Sequence, residues 1–165
     1  FLGWFTQETG GTQVDGNTVF KEVASTTYYA HWEEATVFSV IVPAVLPVTV
    51  DQNGKVYVSN AEIVNHSTAA VQVSSVTLTA ENGWTLVPYA SDMSHAKVDS
   101  NQIGFKINSA QTSKTGSTEQ LVLTSPWQIN EEESLTLSYD AVVSALSQPV
   151  TNANILSVLF VVEWA

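Results

Sequence analysis

The sequence predicts an all-β protein built mainly as an antiparallel sandwich. Apolar and polar residues alternate with a period of two along most of the chain, and helical periodicity is almost absent. Val, Ile, Thr and Tyr, which favour strands, are frequent in these alternating runs. Turn signals such as Asn53-Gly54 and Glu81-Asn82-Gly83 separate the runs. Short strands at regular intervals with turns between them are typical of β-sandwiches.

The first strands of the sandwich form a hairpin. Alternating apolar residues before and after one turn define its strands: Phe38, Val40, Val42, Leu46, Val48 and Val50, then Val56 and Val58. The turn is Asp51-Gln52-Asn53-Gly54, with Asn53-Gly54 at its tip. The prolines Pro43 and Pro47 lie at the edges of these runs, where a missing N–H is tolerated.

The next strand changes phase in its middle. Val71 and Val73 occupy one phase, whereas Val76 and Leu78 occupy the other. A bulge near Ser74-Ser75 would return all four side chains to one inward face. Two separate short strands would explain the pattern equally well.

The second half of the sandwich has three further strand patterns. Their apolar faces are Ile103, Phe105 and Ile107; Leu135, Leu137, Tyr139, Ala141 and Val143; and Leu156, Val158, Phe160, Val162 and Trp164. The last run is also partly apolar on its other face, so we predict that it is a central strand. A polar loop over 109–117 and an acidic turn over 130–134 connect these runs.

Composition excludes several classes of function. The chain has 165 residues, 16 acidic side chains and five cations, with a formal net charge of −11. This balance argues against nucleic acid and anionic membranes as partners, because both require clustered cations. Cysteine is absent, which excludes disulfides, thiol catalysis and cysteine zinc sites. No run of 18 apolar residues predicts a membrane span.

Composition also shifts near residue 33, and a boundary at about Ala35 predicts two domains, 1–34 and 35–165. The first contains the pattern Phe1-x-Gly3-Trp4-Phe5-Thr6, Gly10-Gly11, Val14, Thr18 and Tyr29-Ala30-His31-Trp32. This pattern resembles the C-terminal half of the Listeria–Bacteroides repeat, the internalin B-repeat type. The resemblance implies a truncated β-grasp-like repeat remnant whose first strand and helical part lie upstream of Phe1. It implies a secreted or wall-attached bacterial protein and no catalytic activity.

The second domain resembles, more loosely, the Ig-like β-sandwich modules of Gram-positive surface proteins. The run from Val42 to Val48, the Asn53-Gly54 turn and Ile63-x-Asn65-x-Ser67 carry this likeness. Asn65-His66-Ser67 also matches a glycosylation acceptor, which is without meaning in a bacterial surface protein.

Aromatic residues are the candidate ligand contacts, because sugar rings stack on exposed aromatic faces. We expect Trp4, Trp32 and Trp164 to be core residues, since the first two belong to the repeat pattern and the third is in phase with Phe160. The remaining aromatic residues that could form an exposed platform are Trp84, Tyr89 and Trp127. Packing of these rings at strand ends is the favoured alternative.

Metal sites and catalytic groups are not predicted. Asp51, Asn53 and Glu62 match three positions of a calcium loop, but Lys55 stands where an oxygen ligand is needed. The histidines, His31, His66 and His95, lack ligand spacing. Neighbouring carboxylates such as Glu33-Glu34 point to opposite faces of a strand and cannot flank one bond.

An intramolecular isopeptide bond is conceivable but not indicated by spacing. The candidate lysines are Lys55, Lys97 and Lys106, and the candidate acceptors are Asn152 and Asn154. Lys106 alternates with apolar neighbours and should face away from the core.

These observations lead to the hypothesis that the chain is an extracellular module at a bacterial cell surface, without catalytic activity or a cofactor. It would act as a spacer, or as an adhesion domain that binds a host or matrix protein or a glycan. The alternatives are a carbohydrate-binding module and an accessory domain of a secreted glycan-active enzyme. The remnant, residues 1–32, carries more aromatic surface than two strands can bury. We therefore expect the aromatic side chains of residues 1–32 to be buried against the sandwich or in a weak homodimer.

Overall fold

The computed structural model describes residues 1–19, 25–51 and 56–165. These residues divide into two compact units, Phe1–Thr36 and Val37–Ala165. The prediction of an all-β fold is confirmed, because the one helix among the described residues is a single 3-10 turn at Met93–His95. No helix in these ranges has the length and hydropathy needed to cross a membrane.

In the first unit, the residues that the structure describes form a three-stranded antiparallel sheet. Its strands are β1 (Gly3–Phe5), β2 (Gln13–Val14) and β3 (Tyr29–His31), with β1 in the middle. Gly10 and Gly11 connect β1 to β2 with φ angles of 70° and 80°, which glycine adopts without strain. A Cβ on Gly11 would also lie 2.8 Å from the Gln7 amide nitrogen. The glycine pair is therefore required by the turn.

The prediction that Trp4 and Trp32 are core residues is wrong. Trp4 is 52 % exposed and Trp32 is 70 % exposed. The described part of this unit forms one sheet of very short strands, and a single sheet cannot enclose large rings by itself.

The described residues of the second unit form thirteen strands. In chain order they are β4 (Val40–Ile41), β5 (Val48–Val50), β6 (Val56–Val58), β7 (Ala61–Asn65), β8 (Val71–Ala80), β9 (Thr85–Leu86), β10 (Gln102–Ile107), β11 (Ala110–Gln111), β12 (Thr118–Gln120), β13 (Trp127–Ile129), β14 (Ser134–Leu137), β15 (Tyr139–Val143) and β16 (Leu156–Trp164).

These strands form sheets around three central strands. β8 carries β16 along one side and both β12 and β13 along the other. β7 lies between β4 and β14, and β10 lies between β11 and β15, with β9 added in parallel. One core cluster draws buried side chains from all three sheets, including Ile63, Val73 and Phe105. This shared core makes the unit sandwich-like.

The predicted bulge in β8 is confirmed. Val71, Val73, Val76 and Leu78 are all fully buried along one continuous strand. Opposite them, β16 shifts register between Val161 and Val162, which face Ser75 and Val73, so Ser74 is the extra residue. The bulge lets two phases of the sequence share one core face.

The predicted long strand over residues 135–143 is instead two strands. Leu137, Tyr139 and Ala141 are buried as predicted, but β14 pairs with β7 whereas β15 pairs with β10. Asn108 binds both backbone groups of Ser138 at the break, since its N–H donates to the Ser138 carbonyl at 2.6 Å and its Oδ1 accepts from the Ser138 N–H at 2.9 Å.

The prediction that the last strand is central is also wrong. Among the strands of residues 1–19, 25–51 and 56–165, β16 pairs with β8 alone and is an edge strand, and Trp164 is 39 % exposed rather than buried. Its ring contacts Phe38 edge to face, with the centroids 5.1 Å apart. The central place belongs to β8, which pairs with β16 on one side and with β12 and β13 on the other.

The described turns agree with their sequence signals. The Trp84 N–H donates to the Glu81 carbonyl at 3.0 Å, and both Asn82 and Gly83 have positive φ. The acidic turn closes where the Glu133 N–H donates to the Asn130 carbonyl. β5 and β6 pair as predicted, with Val50 opposite Val56, while Asn53-Gly54 lies outside the described residues.

Candidate functional site

The three aromatic candidates do not form one exposed platform. Trp127 lies on β13 at 9 % exposure and belongs to the core, which agrees with the favoured alternative of ring packing and not with an exposed platform. It shares the inward face of its short strand with Ile129. Trp84 is partly buried and packs against the core, whereas Tyr89 is half-buried. Among the ring contacts of the described residues, none joins any two of the three.

Tyr89 lines a polar cleft of about 250 Å³ in the second unit. The other lining residues come from β10, β15 and the segments that follow or precede them: Lys106, Asn108, Ser138, Tyr139 and Asp140. The cleft therefore combines an ammonium group, a carboxylate, an amide, a hydroxyl and aromatic rings.

Strand alternation places the two charges of the cleft. Phe105 and Ile107 are buried, so Lys106 between them points to the opposite face of β10, as its sequence position predicts. Asp140 lies directly opposite Lys106 in the antiparallel pairing of β10 with β15. Opposite charges at facing positions of a ladder attract each other across the strands.

Tyr89 is held over this charged pair. Its hydroxyl donates to Asp140 Oδ2 at 2.7 Å, while Asp140 Oδ1 accepts from the Ala141 N–H at 2.8 Å. Lys106 Nζ lies 6.0 Å from the centre of the Tyr89 ring, at the outer limit of cation–π attraction. The hydrogen bond to Asp140, followed by burial and the negative charge of that carboxylate, raises the pKa of Tyr89.

A glycine in β10 lets Tyr89 come this close. A Cβ on Gly104 would lie 2.8 Å from the Tyr89 Cα and 3.0 Å from the Pro88 carbonyl oxygen. The Tyr89 N–H also donates to the Thr112 carbonyl at 3.0 Å. The sequence reasoning missed this arrangement, although a glycine inside a strand is a known sign of close backbone approach.

The Tyr89–Asp140 bond predicts a loss of stability at alkaline pH. Because the folded-state pKa of Tyr89 is raised above the unfolded value of about 10, its stabilisation is complete below about pH 10 and is lost as pH rises through the folded pKa. Tyr89→Phe should therefore flatten the alkaline decline of the free energy of unfolding, measured by urea titration at several pH values. Asp140→Asn keeps the phenol and should flatten it less. An unchanged decline in both variants would contradict the bond.

The histidines make separate contacts and do not converge. His66 Nδ1 lies 3.2 Å from Glu132, His95 Nδ1 lies 3.1 Å from Asp92, and the His31 ring stacks on Phe5 with centroids 4.0 Å apart. No group of three potential metal-binding side chains occurs in the described ranges. Asn53 and Lys55 of the notional calcium loop lie outside those ranges.

The Asn65-His66-Ser67 sequence is structural. Asn65 is fully buried, and its amide donates to the carbonyls of Ala69, Ile129 and Asn130. A side chain with these contacts is closed to modification in the folded protein. The candidate isopeptide acceptors Asn152 and Asn154 are exposed in the segment before β16, while Lys106 lies in the cleft.

A second candidate surface lies on the first unit and consists of Phe1, Trp4 and Trp32, here termed the aromatic patch. The Phe1 ring lies 4.9 Å from the Trp32 ring and 5.9 Å from the Trp4 ring, centre to centre. Phe1 is 61 % exposed, and both tryptophans are also more than half exposed. The Phe1 ring therefore contacts both tryptophan rings, while most of the surface of each of the three residues faces solvent.

The chain matches no known protein-family model, and it shows no significant similarity to a curated protein or to a solved structure.

Proposed function

We propose that this protein is a non-catalytic extracellular module of a bacterial cell-surface protein, and that it binds its ligand through the aromatic patch. The observation that carries this proposal is the contact of Phe1 with both Trp4 and Trp32, all three at high exposure. Contiguous exposed aromatic surface is characteristic of interaction sites, because the rings supply a large contact area at a small cost in conformational entropy.

The charge of the chain supports the same proposal and limits the classes of ligand that could bind. A net charge of −11 keeps a protein soluble and repels anionic polymers. The negative charge of the whole chain favours a neutral glycan, or a neutral to basic protein of the host or the matrix, as the ligand. The repeat-like pattern of residues 1–32 supports the extracellular setting.

The polar cleft supports a second candidate function, carbohydrate binding. Tyr89 offers a half-buried ring, and Lys106, Asn108, Ser138 and Asp140 surround it with donors and acceptors for hydroxyl groups. The same cleft would serve in an accessory domain of a secreted glycan-active enzyme. Its lining includes a single carboxylate, whereas glycoside hydrolysis uses two.

Binding to glycan and matrix-protein arrays distinguishes the two surfaces. We expect the whole chain to bind, and Trp32→Ala to weaken that binding at least about tenfold, as for a central aromatic contact. Tyr89→Ala should leave it unchanged if the patch is the site and should abolish it if the cleft is the site. Val122→Ala, which truncates another strongly exposed apolar side chain, is the control. Binding that survives both aromatic substitutions would refute both proposals.

A further inference from the structure

The last strand, β16, leaves one of its two backbone edges unpaired. The Glu81 N–H donates to the Ile155 carbonyl at 3.0 Å, and the Ala165 N–H donates to the Ala70 carbonyl at 3.1 Å. The odd-numbered residues at both ends of β16 therefore direct their backbone groups towards β8. In a regular strand the alternate residues direct theirs to the other side. The even-numbered residues from Leu156 to Trp164 accordingly form an open edge, and no strand in the described ranges pairs with it.

This open edge lacks the usual protection of edge strands. Lys, Pro, bulges and short length normally prevent edge strands from pairing with other chains. β16 is nine residues long, contains neither Lys nor Pro, and shifts register only because β8 carries the extra residue. Its outer face exposes Leu159 at 62 % and Val161 at 43 %. A long, regular, apolar edge of this kind is a template for strand addition.

We propose that the open edge of β16 pairs antiparallel with the same edge of a second copy of this chain, about a twofold axis at Phe160. The pattern of the strand is self-complementary in that register. Each even-numbered residue meets an even-numbered residue, so open groups face open groups and form about ten hydrogen bonds between the chains. Leu156 then lies opposite Trp164 of the second copy, and the whole of β16 is engaged. Any other centre leaves one end of the strand without a partner.

The side chains agree with this register. On the outer face Leu159 meets Val161 of the second copy, which buries the two exposed apolar side chains as cross-strand pairs. Glu163, the one charged residue of the strand, meets Ser157, and its side chain already accepts from Gln72 Nε2 at 3.2 Å. The two Glu163 carboxylates lie at opposite ends, about 20 Å apart. That separation exceeds the Debye length of about 8 Å at physiological salt.

The overall charge opposes association and gives the dimer a characteristic response to salt. Two copies each carrying −11 repel one another at long range. Added salt screens this repulsion, so dimerisation should strengthen as the NaCl concentration rises. A dimer held by ion pairs would weaken instead.

Sedimentation of the whole chain at increasing concentration tests the dimer. We expect a monomer–dimer equilibrium and an increase in its Kd of at least about tenfold in Leu159→Lys, because a charge on the outer face of an edge strand disfavours pairing. Leu159 is exposed, so the variant should keep the native circular dichroism spectrum. Val122→Lys is the matched control, since Val122 is 78 % exposed and lies outside β16, and it should dimerise like the native chain.

Cysteine exchange tests the register, because the chain has no cysteine of its own. In the proposed pairing, residue 159 of one copy and residue 161 of the other are about 4.5 Å apart at Cα, within disulfide range. A mixture of Leu159→Cys and Val161→Cys chains should form mostly the mixed disulfide under mild oxidation. Each variant alone should cross-link more slowly.

Several results would overturn the proposal. A chain that stays monomeric at its highest soluble concentration would show that the edge takes another strand, or none. A dimer that Leu159→Lys leaves intact but Trp32→Ala disrupts would place the interface on the aromatic patch. Faster cross-linking of Leu159→Cys alone than of the mixture would exclude the axis at Phe160. Loss of array binding leaves this proposal unaffected, so the two proposals fail independently.

Discussion

Replacing Asn65 by aspartate is expected to unfold the second unit or to leave it barely stable. The Asn65 amide nitrogen lies 3.0 to 3.1 Å from the carbonyl oxygens of Ala69, Ile129 and Asn130, and its Oδ1 accepts from the Ser67 N–H at 2.9 Å. In the aspartate variant one oxygen would still accept from the Ser67 N–H, but the oxygen that replaces the amide nitrogen would face three carbonyl oxygens without a donor in this fully buried position. An unpaired buried charge costs about 3–5 kcal/mol, a large part of the total stability of a domain.

Urea unfolding followed by tryptophan fluorescence and far-ultraviolet circular dichroism measures this loss. Asn154→Asp introduces the same charge at an exposed position and should change the free energy of unfolding by less than about 0.5 kcal/mol. Asn65→Ala should give an intermediate loss, since it removes the donor without adding a charge. Equal stability of Asn65→Asp and Asn154→Asp would show that the amide does not hold these loops together.

Replacing Thr112 by valine should cost about 2–4 kcal/mol, although the two side chains have nearly the same shape. Thr112 is 1 % exposed. Its Oγ1 accepts from the Phe105 N–H at 3.1 Å and donates to the Val87 carbonyl at 2.7 Å. The methyl group of valine leaves both buried backbone groups without this partner, and each unsatisfied group costs about 1–3 kcal/mol.

The same urea titration, with Thr136→Val as control, checks the second expectation. Thr136 is exposed on β14, so its replacement by a strand-favouring residue should be neutral or slightly stabilising. Thr112→Val should also loosen the Val87–Tyr89 segment, which hydrogen exchange of the Tyr89 amide would report. A loss below about 0.5 kcal/mol would mean that the hydroxyl contributes no net stability.

Which side chains face the core could be predicted from the sequence where the polar and apolar alternation is local. Ile103, Phe105 and Ile107 are buried and Lys106 is not, because successive side chains of a strand point to opposite faces. The phase change in β8 allowed either a bulge near Ser74-Ser75 or two separate strands, and the structure shows the bulge, with Ser74 as the inserted residue.

The neighbours of a strand were less predictable. Both faces of β16 carry apolar residues, which predicts a central strand, yet no second strand of the described residues pairs with it. Alternation over residues 135–143 is unbroken, yet the strands before and after Ser138, where Asn108 binds, pair with different sheets. Alternation reports whether a side chain is buried and carries no information about which backbone lies alongside.

The polar cleft could likewise be predicted only in part. Tyr89 could be singled out as an aromatic residue outside the apolar alternation, and Lys106 as a cation on an outward face. Their meeting with Asp140 depends on the register between β10 and β15 and on the missing side chain at Gly104. The sequence around Trp127, by contrast, does not show whether its ring is exposed or buried. The ring is buried because Trp127 lies opposite Val73 of β8.

The sequence by itself therefore determined that the chain is all-β, where most turns lie and which strand faces turn inward. These properties arise from backbone preferences and from burial of side chains a few residues apart. Only the tertiary structure decided that Trp4 and Trp32 remain exposed, that β16 has an open edge and that the cleft forms at Asp140. Those outcomes depend on pairing between residues far apart in the chain, whose free energy no local pattern records.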